Sequence, residues 1–575
     1  MREVLRKSRA LRRAVKWYRS KTVADPGWRK VLQRDAQEWQ SALEKARNGP
    51  KVLLATSLGG YWAGTTLESL LALSLTLRGA NVEVLLCDGV LPACQACEAR
   101  AYRSLERFAR RGPQADLCGN CFEPGRRIFE GLGLKVHRYT SFLTPEEAEL
   151  ASRLAEQIRF EDIAAYTLDR VKVGEHALAG ALRFFARGDL TGEQLADPVL
   201  RRYLKAAMLT TYAARRILAG GSFECAAFHH GIYVPQGLMG EVARSLATRV
   251  VNWNPAYRKR CFVFSHGDTY HHTLLDEPTS AWEALSWDEG QESQLLGYLK
   301  SRSQGTEDWI WFHKNPLENI EAQAEEIGLD LARPYVGLLT NVIWDAQLHY
   351  PRSAFGGHME WILETVRYFA ARSDLQLVIR IHPAEVRGTL PSRQKTADEL
   401  ARSFPELPRN VVVIPPESRL STYALMERAN AALIYGTKTG VELAAIGIPV
   451  IVAGEAWVRG KGFTLDARSR GDYVRWLECL PLKDRMLPSA VERARKYAYH
   501  FFFRRMIPLE CMEPTGGDPP YTVRVERLRE LEPGRQRGLD VICDGILRGS
   551  PFIYPAEEMP RKLTASLTGA LEPAR

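Results

Sequence analysis

Short apolar runs alternate with helix-spaced stretches along most of this chain. Lys51–Ser57 (KVLLATS) is an apolar run that ends in Ser57-Leu58-Gly59-Gly60. A helical pattern follows over Thr65–Leu77, and Val82–Leu86 and Lys135–Tyr139 read as further strands. Such alternation predicts a parallel sheet with helices on its faces. Residues 144–220 differ. Thr144-Pro145-Glu146-Glu147 is a capping box with proline at the first helical position, and the Ala-, Leu- and Arg-rich residues after it predict a helical insertion. Strand patterns return at Cys225–Phe228, Arg249–Asn252 and Cys261–Ser265. Residues 280–330 are charged and helical in composition and predict a connection between two lobes. From Tyr335 the alternation restarts. YVGLLT is a strand, 358–372 a helix, LQLVIRIHP and NVVVIPP strands, TYALMERA a helix, AALIYG a strand, TGVELAAIG a helix and PVIVAG a strand.

This pattern divides the chain into five parts: a basic helical segment (1–50), a first α/β lobe (51–300), a second (331–490), a helical C-terminal region (491–555) and a loose tail (556–575). The first lobe carries a cysteine segment (87–125) and the helical insertion (144–220). There is no internal repeat.

Composition narrows the class. Of 575 residues, 45% are hydrophobic and 25% charged, which excludes a fibrous or wholly disordered chain. The net charge of +10 is concentrated: residues 1–50 hold 14 Lys/Arg against 5 Asp/Glu. The remainder is nearly neutral, which excludes a nucleic-acid binder by bulk charge. Within 1–21, nine basic residues accompany one acid, and Leu11, Val15 and Tyr18 share a helical face. The segment reads either as an interfacial helix drawn to anionic lipid or as a basic helix packed on its own domain. The longest apolar stretch, Ala431–Val458, is interrupted by Lys438, Glu442 and Glu455, so no membrane span is expected. No apolar signal region follows the basic start. A cytoplasmic protein with reduced thiols is expected, in peripheral contact with the inner membrane face if the first reading holds.

The second lobe carries the clearest chemistry. In AALIYGTKTGVELAAIG a strand ends at Tyr435-Gly436, and Thr437-Lys438-Thr439-Gly440 opens a helix. Helix N-termini bind phosphates, two threonine hydroxyls and a lysine strengthen such a site, and Glu442 suits a ribose diol. The alternative is a turn that only caps its helix. RIHPAE delivers Arg380, His382 and Glu385 to a strand's carboxyl end, where ligands of open α/β sheets bind. The alternative is that His382 only hydrogen-bonds the turn before Pro383.

RIHPAE, Ser421-Thr422-Tyr423 and YGTKTGVELAAIGIPVIVAGEAW together resemble the nucleotide-binding lobe of bacterial capsule polysaccharide biosynthesis proteins. So does FHHGIYVPQGLMGEVARSLATRVVNWNPAYRKRCFVFSHGDTYHH in the first lobe. These are sugar transferases of the GT-B fold, with relatives that transfer Kdo or sialic acid. The resemblance covers about 225–275 and 335–470. It implies two Rossmann-like lobes, a nucleotide-sugar donor and a polysaccharide or lipid-linked acceptor. It places the donor on His382, Pro383, Thr437, Thr439 and Glu442, and less directly on Ser421 and Thr422. Lys438 and Arg380 would stabilise the leaving phosphate without a bound divalent ion.

Direct sugar displacement needs a base in the first lobe. His230 follows the strand AAFHH, and Asp88 ends the strand LLCD before Gly89; Asp88 resembles the base of some sialyltransferases. Glu241 and His266 are weaker candidates. The competing readings make His230 a structural hydrogen-bonder and Asp88 a turn former. A nucleotide-sugar 2-epimerase shares the expected fold, and a non-catalytic assembly protein of envelope-polysaccharide synthesis is the reading from a different class.

Cys94-x2-Cys97 and Cys118-x2-Cys121 are separated by 20 residues. This spacing predicts a structural four-thiolate zinc knuckle; an iron–sulfur cluster needs the same sulfurs, and buried free thiols are the plain alternative.

Overall fold

The computed structural model describes residues 26–559, apart from 103, 305–306, 310–311, 313–315, 347–349 and 518. The basic helix expected in 1–21 and most of the C-terminal tail lie outside the described residues. Helices Trp28–Arg34 and Ala36–Ala46 open the described chain, with Trp28, Val31 and Trp39 buried.

The first lobe is built on β1 (Lys51–Ser57), β2 (Asn81–Leu86), β3 (Lys135–Arg138), β4 (Cys225–His229), β5 (Arg249–Pro255) and β6 (Cys261–His266). The second holds β7 (Tyr335–Leu339), β8 (Gln376–Arg380), β9 (Val411–Ile414), β10 (Ala432–Ile434), β11 (Val450–Val452) and β12 (Leu465–Asp466). The chain then returns, and β13 (Ile507–Pro508) joins the first sheet. The sheet orders are β13-β6-β5-β4-β1-β2-β3 and β12-β11-β10-β7-β8-β9. In chain order both contain the 3-2-1-4-5 arrangement of a Rossmann-like sheet. The central strands are buried along almost their whole length, which is why they read as unbroken apolar runs. One expectation is corrected. The first sheet is not wholly parallel, since β5–β6 and β6–β13 are antiparallel. Residues 256–260 make the short connection between β5 and β6, which suits a hairpin and not a crossover.

The helical insertion contains Pro145–Gln157, Val173–Phe185 and Ala196–Gly221. Its first helix starts with the expected capping box: Thr144 accepts the Glu147 N–H, and Glu147 accepts the Thr144 N–H. Residues beyond 274 pack with the second lobe, where Trp282, Leu295 and Tyr298 share a core with Leu339, Ile434 and Val441. Helix Pro488–Tyr499 also lies against that lobe, and helix Arg537–Arg548 packs on Trp62–Leu77 of the first. The C-terminal region therefore spans both lobes. Helix Trp62–Leu77 is buried all round, and its Ser74 and Thr76 hydroxyls are satisfied by carbonyls four residues back, at 2.8 Å. No described helix is long and apolar enough to cross a membrane.

The lobes meet along their carboxyl edges. Tyr233 donates to Asp345 at 2.6 Å, and Arg352 to Asp276 at 2.9 Å. Lys461 donates to the Leu275 and Glu277 carbonyls. On the insertion, the Gly188 N–H bonds the Gln394 side chain at 2.8 Å.

Candidate active site between the lobes

In each sheet the chain reverses its direction of growth between two central strands, β1/β4 in the first lobe and β7/β10 in the second. Ligands of open α/β sheets bind in the crevice outside such strand ends. The two crevices open toward each other.

At the second-lobe crevice, β10 ends at exposed Gly436 and buried Thr437. The Thr437 hydroxyl accepts the Thr439 N–H at 3.3 Å and lies 3.1 Å from the Thr439 hydroxyl. Thr439–Ala445 forms a helix of only seven residues, so local donors carry more of the site's polarity than the helix dipole does. Lys438 lies 4.7 Å above the Tyr257 ring of the first lobe and donates to Glu442 at 2.8 Å. Arg302 approaches the same Glu442 oxygen at 3.3 Å, and Tyr423 donates to the other. Burial would raise the Glu442 carboxyl, but Arg302, Lys438 and these hydrogen bonds outweigh it and hold it at about 2. Expected to take a ribose diol, Glu442 instead has both oxygens engaged by protein groups and is 1% exposed. Arg302 and Tyr257, which complete this network, carried no sequence signal; they lie far from Glu442 in the chain.

The RIHPAE residues divide. Arg380 is buried and donates to the Pro415 carbonyl at 2.6 Å and the Ser418 carbonyl at 2.9 Å, so its fork holds a loop. Thr422 accepts from Arg380, and Ser421 caps helix Thr422–Arg428. Glu385 is buried and accepts from the Thr396 N–H and hydroxyl. His382 remains for chemistry. Its N–H is held by Thr340 at the end of β7, and its Nδ1 accepts the Ala384 N–H at 3.0 Å. That bond assigns the proton to Nε2, which is left as a donor. Burial pushes the ring down to about 4, assisted by Lys438 and Arg380.

At the first-lobe crevice, Ser57 ends β1 with φ 58° and His230 follows β4 with φ 65°. Left-handed backbone at a non-glycine residue costs about 1–3 kcal/mol and concentrates at functional sites. His230 lies near Tyr233 and His271, at ring separations of 5.0 and 6.1 Å. Its buried Nδ1 has no hydrogen-bond partner among the described residues, and the same holds for Nδ1 of His229. Burial lowers the His230 ring to about 4, with Asp345 of the second lobe opposing. Asp345 and the His271–Tyr350 hydrogen bond are interface features that spacing did not reveal. His271 lies in the stretch that carries the family resemblance, but no periodicity marks it.

The structure does not bring Asp88 and His230 together. Asp88 accepts from the Thr140 N–H and hydroxyl at the end of β2, and β1 separates it from β4. Two inter-strand steps amount to about 9.5 Å. Glu241 pairs with Arg244 at 2.8 Å, and His266 bonds the Ser550 carbonyl while stacking on Phe552.

The cysteines gather near the same edge but do not form the expected knuckle. Cys94 and Cys97 meet at 3.8 Å between sulfurs, and Cys121 accepts the Gly60 N–H at 3.2 Å. A Cβ on Gly59 would lie 2.6 Å from the Cys121 carbonyl, so the Gly-Gly pair exists to admit this segment. Among the described residues, no group of three or more His, Cys, Asp or Glu is placed to hold a metal ion. The expected four-thiolate site for zinc or an iron–sulfur cluster is therefore not shown. Burial pushes the Cys118 thiol up to about 12 and raises Cys121.

The chain matches no protein-family model and no curated protein. Solved structures similar to it include glycosyltransferases and epimerases. A Thermosulfurimonas dismutans KpsC β-Kdo 2,4-transferase is 13% identical, with 48% of this chain and 80% of that one covered and a TM-score of 0.31. A Methanocaldococcus jannaschii UDP-GlcNAc 2-epimerase, in complex with UDP-GlcNAc and UDP, is 11% identical over 78% and 99%, with a TM-score of 0.27. Sucrose-phosphate synthase from Thermosynechococcus elongatus is 11% identical over 79% and 95%, with a TM-score of 0.28. Likenesses this weak assign neither activity nor substrate to this chain.

Proposed function

We propose that this chain is a nucleotide-sugar-dependent glycosyltransferase that acts on an envelope-polysaccharide or lipid-linked acceptor. One juxtaposition supports the reading. His230, a neutral imidazole with a buried, unpartnered nitrogen, lies 6.1 Å from the His271 ring, which contacts Trp457, and Trp457 also contacts Tyr257, the ring beneath Lys438 of the phosphate-binding turn. The donor's phosphate lies against the two threonine hydroxyls, Lys438 and the His382 Nε2–H. Lys438 donates one hydrogen bond to Glu442, which leaves further ammonium protons for the phosphate.

The acceptor hydroxyl attacks the anomeric carbon from the face opposite the nucleotide. His230, uncharged at neutral pH, takes the hydroxyl proton. The bond from the anomeric carbon to the phosphate oxygen breaks, and its electron pair leaves with the nucleotide. Lys438 and the hydroxyls meet the new negative charge. The configuration inverts. Incubation with a nucleotide sugar and an oligosaccharide acceptor, read by mass spectrometry, tests the proposal. Sugar conversion with no acceptor present would replace it with the epimerase. The nine basic residues of 1–21 suit a peripheral site on anionic lipid, at about 1 kcal/mol each. Deleting them should reduce co-sedimentation with phosphatidylserine vesicles, and equal sedimentation at low salt would remove the membrane from the reading.

A further inference from the structure

A cavity of about 480 Å³ lies at the lobe interface, one strand outward from the Thr437 turn. The second lobe lines it with Arg352, Glu455, Arg459 and Arg468; the segment after β6, which packs on that lobe, contributes Leu275 and Asp276. Glu455 and Arg459 follow β11, and Arg468 follows β12, so the cavity occupies the carboxyl edge where such sheets receive ligands. None of these residues belongs to the donor turn or to the base.

The charges around it are unevenly satisfied. Both lining acids are committed to Arg352: Asp276 accepts at 2.9 Å, and buried Glu455 accepts from the Arg352 N–H and from its Nε at 3.4 Å. Arg459 donates to the Gly454 carbonyl at 3.0 Å. The Arg468 guanidinium is exposed and has no hydrogen-bond partner among the described residues. Nearby Asp466 is already taken by the Thr464 hydroxyl and the Gly460 N–H. Burial depresses the Arg459 guanidinium, and the charges of Arg352 and Arg468 add to that effect against Asp466 and Glu455. Both lining carboxylates are thus bound to Arg352, and among the described residues neither the Arg459 nor the Arg468 guanidinium has a carboxylate in hydrogen-bond contact, although Asp466 lies near both. The planar donor fork of arginine matches an oxyanion in two parallel bonds.

We infer that this cavity is an oxyanion subsite, in which Arg459 and Arg468 grip a phosphate or carboxylate group of the substrate. The inference deepens the glycosyltransferase reading and rests on it for the identity of the substrate. The oxyanion has two sources, the donor's own phosphate or the carboxylate of an acidic sugar.

Calorimetric titration of the full chain with inorganic phosphate, UDP, CMP, UDP-glucose and UDP-glucuronate tests it. Arg468→Ala removes an exposed side chain, so the fold should survive, and Arg468→Lys keeps the charge without the fork; melting curves check both. The inference expects Arg468→Ala to weaken phosphate binding by about 10- to 150-fold, the value of one lost charge-assisted bond, and the lysine variant to recover part of it. Parallel losses for UDP or CMP identify the donor phosphate as the source. A loss confined to UDP-glucuronate, with UDP-glucose unchanged, identifies a sugar carboxylate and equally supports the subsite. Unchanged affinity for every probe in Arg468→Ala and Arg459→Ala overturns the subsite, and so does failure of the wild type to bind any of them. Thr439→Ala separates the two readings. If it retains nucleotide affinity while the arginine variants lose phosphate, the donor assignment falls and the subsite stands.

Discussion

The two carboxyl edges share a strand order and are furnished in opposite ways. The second-lobe edge is rich in charge, and much of that charge is internally matched: Lys438, Arg302, Glu442 and Asp308 form a closed buried network with Tyr423 and Tyr298. The first-lobe edge presents neutral imidazoles, with left-handed backbone at Ser57 and His230 and buried ring nitrogens that lack partners. A charge-matched network fixes the turn in place and leaves the phosphate to be met by the turn's own hydroxyl, N–H and ammonium donors. An edge of unprotonated imidazoles suits a step that needs a proton acceptor. The contrast teaches that fold alone does not distribute the roles; the side chains at equivalent strand ends do.

The strongest attempt to break this comparison is His230→Ala. Turnover should fall by about 10²- to 10⁴-fold while donor affinity stays near wild type. Asp88→Ala should leave turnover near wild type, because Thr140 holds that carboxylate away from His230. Reversed results would move the base to β2.

Glu442→Ala is next. Removing the acid leaves Lys438 and Arg302 buried against each other, so urea unfolding should show a loss of about 3–5 kcal/mol. A loss below about 1 kcal/mol would mean that water screens the network and that it does not order the turn.

Thr439→Ala and His382→Ala should each weaken nucleotide-sugar binding by roughly 10- to 150-fold, or about 1.5–3 kcal/mol, with melting temperature preserved. Wild-type affinity in both variants would remove the donor from this turn.

The smallest effect concerns pH. The folded His230 and His382 rings titrate near 4, below the ordinary 6.5. The unfolded chain therefore binds more protons between those values. Their contribution to stability is complete above about 6.5 and is lost as pH falls toward 4. Burial raises the Glu68 carboxyl to about 7, so its contribution runs the other way, lost as pH rises from 4.5 through 7. Glu442 is held at about 2 and stays charged across this range. His382→Ala should flatten the decline in stability between pH 6.5 and 4, and Glu68→Gln should steepen it. An unaltered profile in His382→Ala would show that its ring is not buried uncharged.

The chain's sequence determines its strands and most of its local turns. Val52–Ser57, Leu377–Arg380 and Ala432–Ile434 are apolar without alternation because both faces of a parallel sheet are covered, and that pattern is local. Thr144 and Glu147 announce a helix start three residues apart, and the Thr437–Thr439 turn is legible because its own residues build it. Tertiary structure decides what these pieces become. Whether Glu442 meets a ribose or an ion network depends on Arg302, and whether Arg380 meets a phosphate or a loop depends on three carbonyls beyond β9. The cysteine spacing is compatible with one metal site, but where the sulfurs sit is set by distant residues: the Gly60 N–H after β1 bonds Cys121, and Tyr203 of the insertion bonds the Cys94 carbonyl. The charge of Asp345 acts on His230, and that of Arg468 on Arg459, only because separate strands end on one edge. Spacing along a chain fixes local hydrogen bonds; the charge around a side chain depends on residues that only folding brings near.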